Sequence, residues 1–447
     1  MQEKRKRIIE DKIPGLLIRL TLPSIIGMLG LMVFNVVDTF YVGRLGAIEL
    51  AAISFTFPVV MVINSFTLGI GIATMSIFAK AVGNQDRDEE RRLATSALLL
   101  GLLIAVTVSI IGYLTMEPLF TMLGAGSDLL PYILDYMSIW YIGTIFIVVP
   151  MIGDNILRGL GDTKTPSFVM LTVACINLIL DPLLIFGLGP FPEMGIRGAA
   201  IATVFSRMIA SVVSILIQTR REHLISFKTL TISQVLKEWK GLLFLGIPNA
   251  AVKAIIPFGA AIFTSILAKY GYEAVAGYGV AAKLEGVVFA IINSLGVTTA
   301  VFTGLNLGAK RIDRVKTGIK WCNIYGIIIG MVSAALLYGF GAPLASLFNS
   351  DPDIQRTTAL YLSIVPISYA LYSIGQNGTS ILNVYHKPML VSLQNLFQIG
   401  VIAIPLAYLL SNIWGVTGLF IAIGISYIGF GLISLFIVSK TSKKVLV

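Results

Sequence analysis

The fold is decided by an apolar run near the start of the chain, residues 14–42, PGLLIRLTLPSIIGMLGLMVFNVVDTFYV. A helix needs about 20 apolar residues to cross the hydrocarbon core of a bilayer, and this run is longer. The basic stretch Lys4–Arg7 before it resembles the start of a secretory signal, but no Ala-x-Ala cleavage site follows the run. We therefore expect a retained first membrane span.

The composition extends this interpretation to the whole chain. Of its 447 residues, 56% are hydrophobic and only 13% are charged, about half the charged share of soluble globular proteins. Its two cysteines lie in apolar runs without metal-ligand spacing, and we interpret them as packing residues. These features exclude a cytosolic enzyme, a secreted disulfide scaffold and a disordered chain.

The same length rule predicts twelve helical spans along the chain. They cover residues 14–42, 50–79, 93–116, 129–153, 165–188, 197–218, 241–269, 274–304, 317–339, 357–379, 388–411 and 415–438. Most Lys and Arg residues lie in the termini and in the loops after even-numbered spans. By the positive-inside rule, we expect both termini in the cytoplasm of a prokaryotic cell, with the chain in its plasma membrane. The net charge of +10 then faces anionic lipid, and no nucleic-acid partner is needed.

The two halves of the chain repeat one another. An offset of 225 residues aligns Pro23 with Pro248, and after one gap an offset of 222 aligns Pro166 with Pro388. With six spans each, both halves enter the membrane from the same side and are parallel repeats. We predict an all-α membrane protein in which two six-helix bundles surround a central cleft, the plan of an alternating-access transporter. The predicted domains are an N-terminal lobe (1–218), a cytoplasmic connector (219–240), a C-terminal lobe (241–440) and a cytoplasmic tail (441–447).

The halves differ in their acidic residues. Asp38, Asp154 and Asp181 lie within or at the ends of apolar spans of the first half. Their counterparts in the second half are Phe263, Gln376 and Ala403. A charged Asp in the middle of a bilayer costs on the order of 2.5–3.5 kcal/mol, so such residues are functional candidates.

Helix geometry places several polar groups of the first half at one depth. Asp38 and Asp181 precede the predicted outer ends of spans 1 and 5, whereas Tyr136 and Thr203 follow the outer ends of spans 4 and 6. Asn177 lies four residues before Asp181, on the same helix face. Two carboxyl groups in a medium of low dielectric cannot both ionise cheaply. They can hold a proton or together surround a sodium ion, so this pattern predicts a coupling-ion site.

Structural roles stay open as alternatives for these acids. Asp38 and Asp181 can form hydrogen bonds to neighbouring backbone or pair with Arg207. Asp154 is nearer the cytoplasmic end of span 4, where an interfacial position explains it equally well.

Two segments, residues 38–46 (DTFYVGRLG) and 157–164 (LRGLGDTK), together with the duplicated plan, resemble the multidrug and toxic compound extrusion (MATE) family over essentially the whole chain. The run NLILDP at 177–182 is similar to its DinF-like branch in particular. This resemblance implies a cation site in the N-terminal lobe, for H⁺ or Na⁺. Its implied residues are Asp38, Asn177, Asp181 and Thr203, with Tyr136 and Asp154 as close neighbours.

The resemblance also implies a function: secondary active efflux of amphiphilic, often cationic, drug-like compounds in antiport with the ion. It implies no cofactor and no obligate protein partner besides the lipid bilayer. Candidate substrate contacts are Asn35, Asn155, Met170 and Gln376, and a methionine thioether suits variable apolar ligands.

The NorM-like branch instead carries acidic residues in spans 7 and 10. Here span 7 carries Lys253 and span 10 carries Gln376, so an acidic site in the C-terminal lobe is not expected. Glu285 in span 8 is expected to pair with Lys253 or Lys283.

Two other functions have some support in the sequence. Residues 159–162 (GLGD) match the string of intramembrane aspartyl proteases, but no partner span with Tyr-Asp exists, so we expect no enzyme. A flippase or exporter for a lipid-linked or other anionic precursor is the alternative, because Arg19, Arg207, Lys253 and Lys283 lie within spans. Twelve spans and an acidic first half argue against it.

Overall fold

The computed structural model describes residues 2–227, 230–348 and 351–446. Within these ranges the side chains of residues 2–4, 34–36, 38–40, 43, 47 and 50 lie outside the description. The described residues are almost entirely helical and contain no β-strand. The Asp38 and Asn35 side chains, both predicted site residues, are therefore outside the described part of the chain.

Fourteen α-helices form from the described residues. In chain order they are α1 (Gln2–Glu10), α2 (Ile13–Gly43), α3 (Ala47–Asn84), α4 (Arg87–Met122), α5 (Leu130–Gly159), α6 (Lys164–Ile185), α7 (Gly195–Leu216), α8 (Ile232–Leu267), α9 (Tyr272–Gly308), α10 (Ile312–Phe348), α11 (Pro352–Ile364), α12 (Tyr369–Val384), α13 (Pro388–Leu396) and α14 (Ile404–Val445).

Eleven stretches of the described chain are long and apolar enough to cross a membrane. The last of them, Pro388–Val445, is 58 residues long and contains both of the last two predicted spans. Gly415 divides it with a φ of 61°, a left-handed conformation that glycine adopts without a steric penalty. Large apolar side chains such as Leu114 are exposed, as expected of helices that face lipid. The predicted fold class, an all-α membrane protein of twelve spans, is confirmed.

Two predicted spans are not single α-helices. The tenth is divided between α11 and α12 by a short 3-10 segment, Val365–Ser368. Pro366 lies in this segment, and its missing N–H interrupts the helical hydrogen bonds. The eleventh continues from α13 into α14 through a π-helical turn, Phe397–Ala403.

The chain forms two compact units. Unit 1 contains Met1–Arg5 and Pro23–Ile247, and unit 2 contains Lys6–Leu22 and Pro248–Val447. The divisions therefore fall at Pro23 and Pro248, the first aligned pair of the repeat, and each proline lies inside a long helix. The lobe boundaries predicted at residues 218 and 241 stay predictions.

Each unit has its own apolar core. In unit 1, Ile133 and Met137 of α5 are fully buried and pack against side chains of α3. The core of unit 2 combines aliphatic side chains with several aromatic rings, and the rings of Tyr361 and Phe420 are in edge contact at 5.0 Å between centroids. Such rings bury large areas and prefer edge-to-face contacts, so they fix the helices of unit 2 against one another.

Candidate functional site

In unit 1, the helices that carry Asp38 and Asp181 meet at an apolar contact. Val42 of α2, Ile185 of α6 and Ala199 of α7 form one cluster, and each is at most 1% exposed. Beside it, the rings of Tyr41 and Phe186 make an edge contact with centroids 6.4 Å apart. This cluster fixes the end of α2 against the end of α6 and the start of α7.

Three predicted cation-site residues lie one helical turn from this contact. Asp38 lies four residues before Val42, and Asp181 lies four residues before Ile185. Thr203 lies four residues after the α7 member of the cluster, and α7 runs back along α6 because its start contacts the end of that helix. Residues four apart on a helix are neighbours on one face. The three positions therefore lie on the same side of the apolar contact.

Two of the predicted polar side chains of α6 are buried. Asn177 is 1% exposed, and Asp181 is fully buried. The Asn177 amide Nδ2 donates to Thr203 Oγ1 over a long contact of 3.5 Å, which joins α6 to α7. The amide oxygen of Asn177 has no hydrogen-bond partner among the described residues. Carboxylate, amide and hydroxyl oxygens are ligands that hard cations prefer, so this set suits a cation.

A small cavity lies beside these residues, between α2 and α6. Its volume is about 200 Å³, and Val37 and Asn177 both line it. Gly30 brings the two helices close, since a Cβ at this position would lie 2.3 Å from Leu171 Cδ2. The chain position next to Asp38 therefore lines the same cavity as Asn177.

The other two predicted neighbours of the cation site lie at different levels of α5. Tyr136 is half-buried and packs on the apolar cluster of α5 and α3. Asp154 lies about 27 Å further along the axis, at the helical rise of ~1.5 Å per residue. There the charges of Arg158 and Arg207 act on the Asp154 carboxyl. Arg207 thus acts electrostatically on Asp154, which lies away from the level of Tyr136.

Two predicted substrate contacts lie near Asp154. The Met170 sulfur is 3.4 Å from Nη2 of Arg158, so the predicted methionine and Asp154 have the same arginine as a neighbour. The Asn155 amide donates to the Met151 carbonyl at 2.8 Å. Unit 1 thus has a second polar cluster, which we call the arginine cluster. It consists of Asp154, Arg158, Arg207 and Met170.

Unit 2 contains a buried carboxylate that the sequence interpretation assigned to the wrong partners. Glu285 of α9 is 7% exposed, and Tyr369 donates a hydrogen bond of 3.0 Å to its Oε1. The hydroxyls of Tyr361 and Tyr427 also interact with this carboxylate. Tyrosines thus stand where Lys253 or Lys283 was expected. Residues two apart on a helix do not face each other, and Lys283 is exposed.

The last predicted substrate contact, Gln376, borders this tyrosine cluster. Its Nε2 donates to the Tyr372 hydroxyl at 2.7 Å, and the Tyr372 ring stacks on Phe289 with centroids 4.4 Å apart. The spacing of Tyr361, Tyr369 and Tyr372 in the sequence would place all three on one face of a continuous helix. This pattern could have revealed the cluster.

Comparisons with known proteins agree on one family. The family model MatE matches residues 23–183 and again residues 248–409. Both matches begin at the aligned prolines of the repeat, Pro23 and Pro248. The chain is 34% identical over 441 residues to a protein of Shewanella oneidensis named FAD transporter, covering 99% of this chain and 98% of the relative.

Other relatives carry multidrug names. The chain is 28% identical to the probable multidrug resistance protein YoeA of Bacillus subtilis, over 92% of this chain and 89% of that one. It is 24% identical to the multidrug export protein MepA of Staphylococcus haemolyticus, over 98% and 96%. The solved structure of the Vibrio cholerae MATE transporter VcmN in its bent form is similar with a TM-score of 0.91, 26% identity and 99% of each chain covered.

Proposed function

The chain belongs to the MatE family of multi-pass membrane transporters, and we propose that it exports amphiphilic organic compounds, cations among them, in antiport with H⁺ or Na⁺. One observation carries the proposal: Asp38, Asp181 and Thr203 each lie one helical turn from the buried contact of α2, α6 and α7. Two acids and a hydroxyl beside a buried amide oxygen are suited to a cation that is bound and released. In this proposal transport needs the coupling ion and no other cofactor.

The proposed coupling uses the buried carboxylates as a charge switch. A cation from outside binds Asp38 and Asp181 and neutralises them. The neutral pair favours a different arrangement of α2, in which the organic substrate binds less tightly and leaves outward. Antiport requires that ion and substrate prefer different states, because a ligand with equal affinity for both states shifts neither.

A second candidate substrate is flavin adenine dinucleotide. The 34% identity to the relative named FAD transporter exceeds that to either multidrug relative described above. The arginine cluster supports this candidate, since Arg158 and Arg207 outnumber the single acid Asp154. Guanidinium groups bind phosphate oxygens through paired, charge-assisted hydrogen bonds. An anionic dinucleotide also agrees with the anionic-precursor alternative from the sequence.

The proposal includes a location and a branch. The chain lies in the plasma membrane of a prokaryote with both termini in the cytoplasm, as the distribution of its Lys and Arg residues indicates. It belongs to the DinF-like branch, in agreement with the acids of unit 1. It works in the bilayer without an obligate protein partner.

The test is transport by the purified protein in liposomes. Efflux of a fluorescent organic cation and of flavin adenine dinucleotide is followed under a proton gradient and, separately, a sodium gradient. We expect gradient-driven efflux by the wild type and its loss in Asp38→Asn and Asp181→Asn. The gradient that drives efflux identifies the coupling ion. The compound that is exported identifies the substrate class.

A matched control is Asp135→Asn on α5. Asp135 is partly exposed and pairs with Arg197 at 2.6 Å, so its loss changes one surface ion pair of unit 1. Full gradient-driven efflux by Asp38→Asn would contradict the proposal, as would an equal loss in Asp135→Asn.

A further inference from the structure

Unit 2 contains a cavity between α10, α12 and α14 that the transport proposal does not use. Its volume is about 480 Å³, within the range of small-molecule sites. Lys316 lies in the second turn of α10, Lys443 lies in the last turn of α14, and both line the cavity. Two ammonium groups therefore lie at the same end of the cavity.

The chemistry of the cavity changes along its length. Ile319 lies one turn beyond Lys316 on α10, and Val438 lies more than one turn before Lys443 on α14. These side chains and Ile381 of α12 belong to the apolar part of the lining, which also contains the neutral polar side chains of Asn323 and Ser434. Among the described residues that line the cavity, none is acidic. A ligand that fits has an anionic group at one end and an apolar body.

The internal repeat identifies the region of unit 1 that is equivalent to this cavity. Lys316 of α10 corresponds to Arg91 of α4 by the offset of 225 residues. Arg91 Nε donates to the His223 carbonyl at 3.1 Å, and the Ser226 amide donates to Thr95 Oγ1 at 3.0 Å. Leu224, between these contacts, is fully buried. In unit 1, a connector segment thus contacts Arg91, the counterpart of the lysine at position 316 that lines the cavity of unit 2.

We propose that the cavity of unit 2 binds one anionic phospholipid, with its phosphate between Lys316 and Lys443 and an acyl chain along Ile319, Ile381 and Val438. Basic pockets between helices at the cytoplasmic side of membrane proteins are suited to anionic headgroups. In the orientation proposed above, both lysines lie near the cytoplasmic ends of α10 and α14, where anionic headgroups are present. The lipid contacts Lys316 in unit 2, as the connector contacts Arg91 in unit 1.

The experiment is native mass spectrometry of the purified full-length protein in detergent. It is titrated with phosphatidylglycerol, with phosphatidylcholine of the same acyl chains, and with glycerol phosphate, which lacks the chains. We expect one tightly bound phosphatidylglycerol and weaker binding of the other two. Each lysine near an anionic headgroup contributes about a factor of five, so Lys316→Gln with Lys443→Gln should weaken binding about 30-fold.

Two further variants make the result decisive. Lys320→Gln with Lys444→Gln removes two neighbouring charges from side chains that do not line the cavity, and it should retain the lipid. Ser439→Trp fills the cavity without changing charge and should lose the lipid even where the lysine variant is poorly folded. Retention by both cavity variants overturns the proposal. Equal binding of glycerol phosphate assigns the site to a free phosphate, and equal binding of phosphatidylcholine removes the role of charge.

Discussion

At the scale of residues, the two units stabilise their buried polar groups differently. In unit 2, Glu285 is surrounded by tyrosine hydroxyls, and Tyr369 supplies a hydrogen bond of 3.0 Å. In unit 1, the contact between Asn177 and Thr203 is long, at 3.5 Å, and the Asn177 oxygen has no partner among the described side chains. A buried polar group without a partner costs about 1–3 kcal/mol. The Asn177 oxygen is therefore suited to coordinate a cation, whereas the Glu285 carboxylate already accepts hydrogen bonds.

Substitutions at Thr203 can test this difference while barely changing the shape of the side chain. Thr203→Val replaces the hydroxyl by a methyl group and removes one oxygen beside Asn177. We expect about tenfold weaker apparent affinity for the coupling cation, measured as the ion concentration that half-saturates efflux. Thr203→Ser keeps the oxygen and should retain the affinity. If both variants weaken affinity equally, Thr203 contributes packing rather than an oxygen.

At the scale of elements, glycine controls how closely α2 approaches α6. A Cβ at Gly27 would lie 2.9 Å from the Cα of Ser167, and a backbone atom cannot move aside as a side chain can. With Gly30, this contact positions the part of α2 that leads to Asp38. The site in unit 1 therefore depends on two small residues that carry no chemistry of their own.

The corresponding prediction compares two glycines of the same helix. Gly27→Ala should destabilise the protein by about 1–3 kcal/mol, because the added methyl group forces α2 from α6. Gly15→Ala is the matched control, since no atom lies within 4 Å of its added Cβ. Gly15 lies in the first turn of α2, where alanine is also the better helix former, so that change should be neutral or slightly stabilising. Thermal unfolding in detergent gives both values, and equal melting temperatures would refute the close contact.

At the scale of the whole molecule, each unit has its own buried ionisable group and its own core. The repeat is visible in the aligned prolines, but the copies have diverged in chemistry: acids and arginines in unit 1, and a carboxylate among tyrosines in unit 2. The proposed ion site and the arginine cluster therefore both belong to unit 1, and unit 2 carries different chemistry on the same scaffold.

We expect Arg158 to distinguish the two proposed substrate classes. Arg158→Gln should reduce export of flavin adenine dinucleotide by at least about tenfold, since hydrogen bonds to charged groups are worth about 1.5–3 kcal/mol. Export of an organic cation should continue. Arg197→Gln, which removes an exposed arginine of the same unit, is the control. A parallel loss of both activities would assign Arg158 to the structure of unit 1, and unchanged flavin export would exclude it from the substrate site.

Much of the architecture followed from local properties of the sequence. Span number depends on the length and polarity of continuous segments, and twelve were expected. The repeat depends on the order of Pro and Gly along the chain, and it located the start of both family-model matches. The break at Pro366 was not predicted, although proline is a residue expected at such a break. Gly415 lies where the twelfth span was predicted to begin.

The sequence by itself determined the membrane class, the helical fold, the duplication and the spacing of polar residues on each helix, because these depend on neighbours within one segment. Only the tertiary structure decided which polar groups meet. Arg207 acts on Asp154, and Glu285 bonds to Tyr369 rather than to a lysine. Such pairs join helices far apart in the chain, and they depend on how each helix is rotated about its axis when the apolar cores pack. The spacing of residues along the chain shows which side chains share one face of a helix. It does not show which other helix that face contacts.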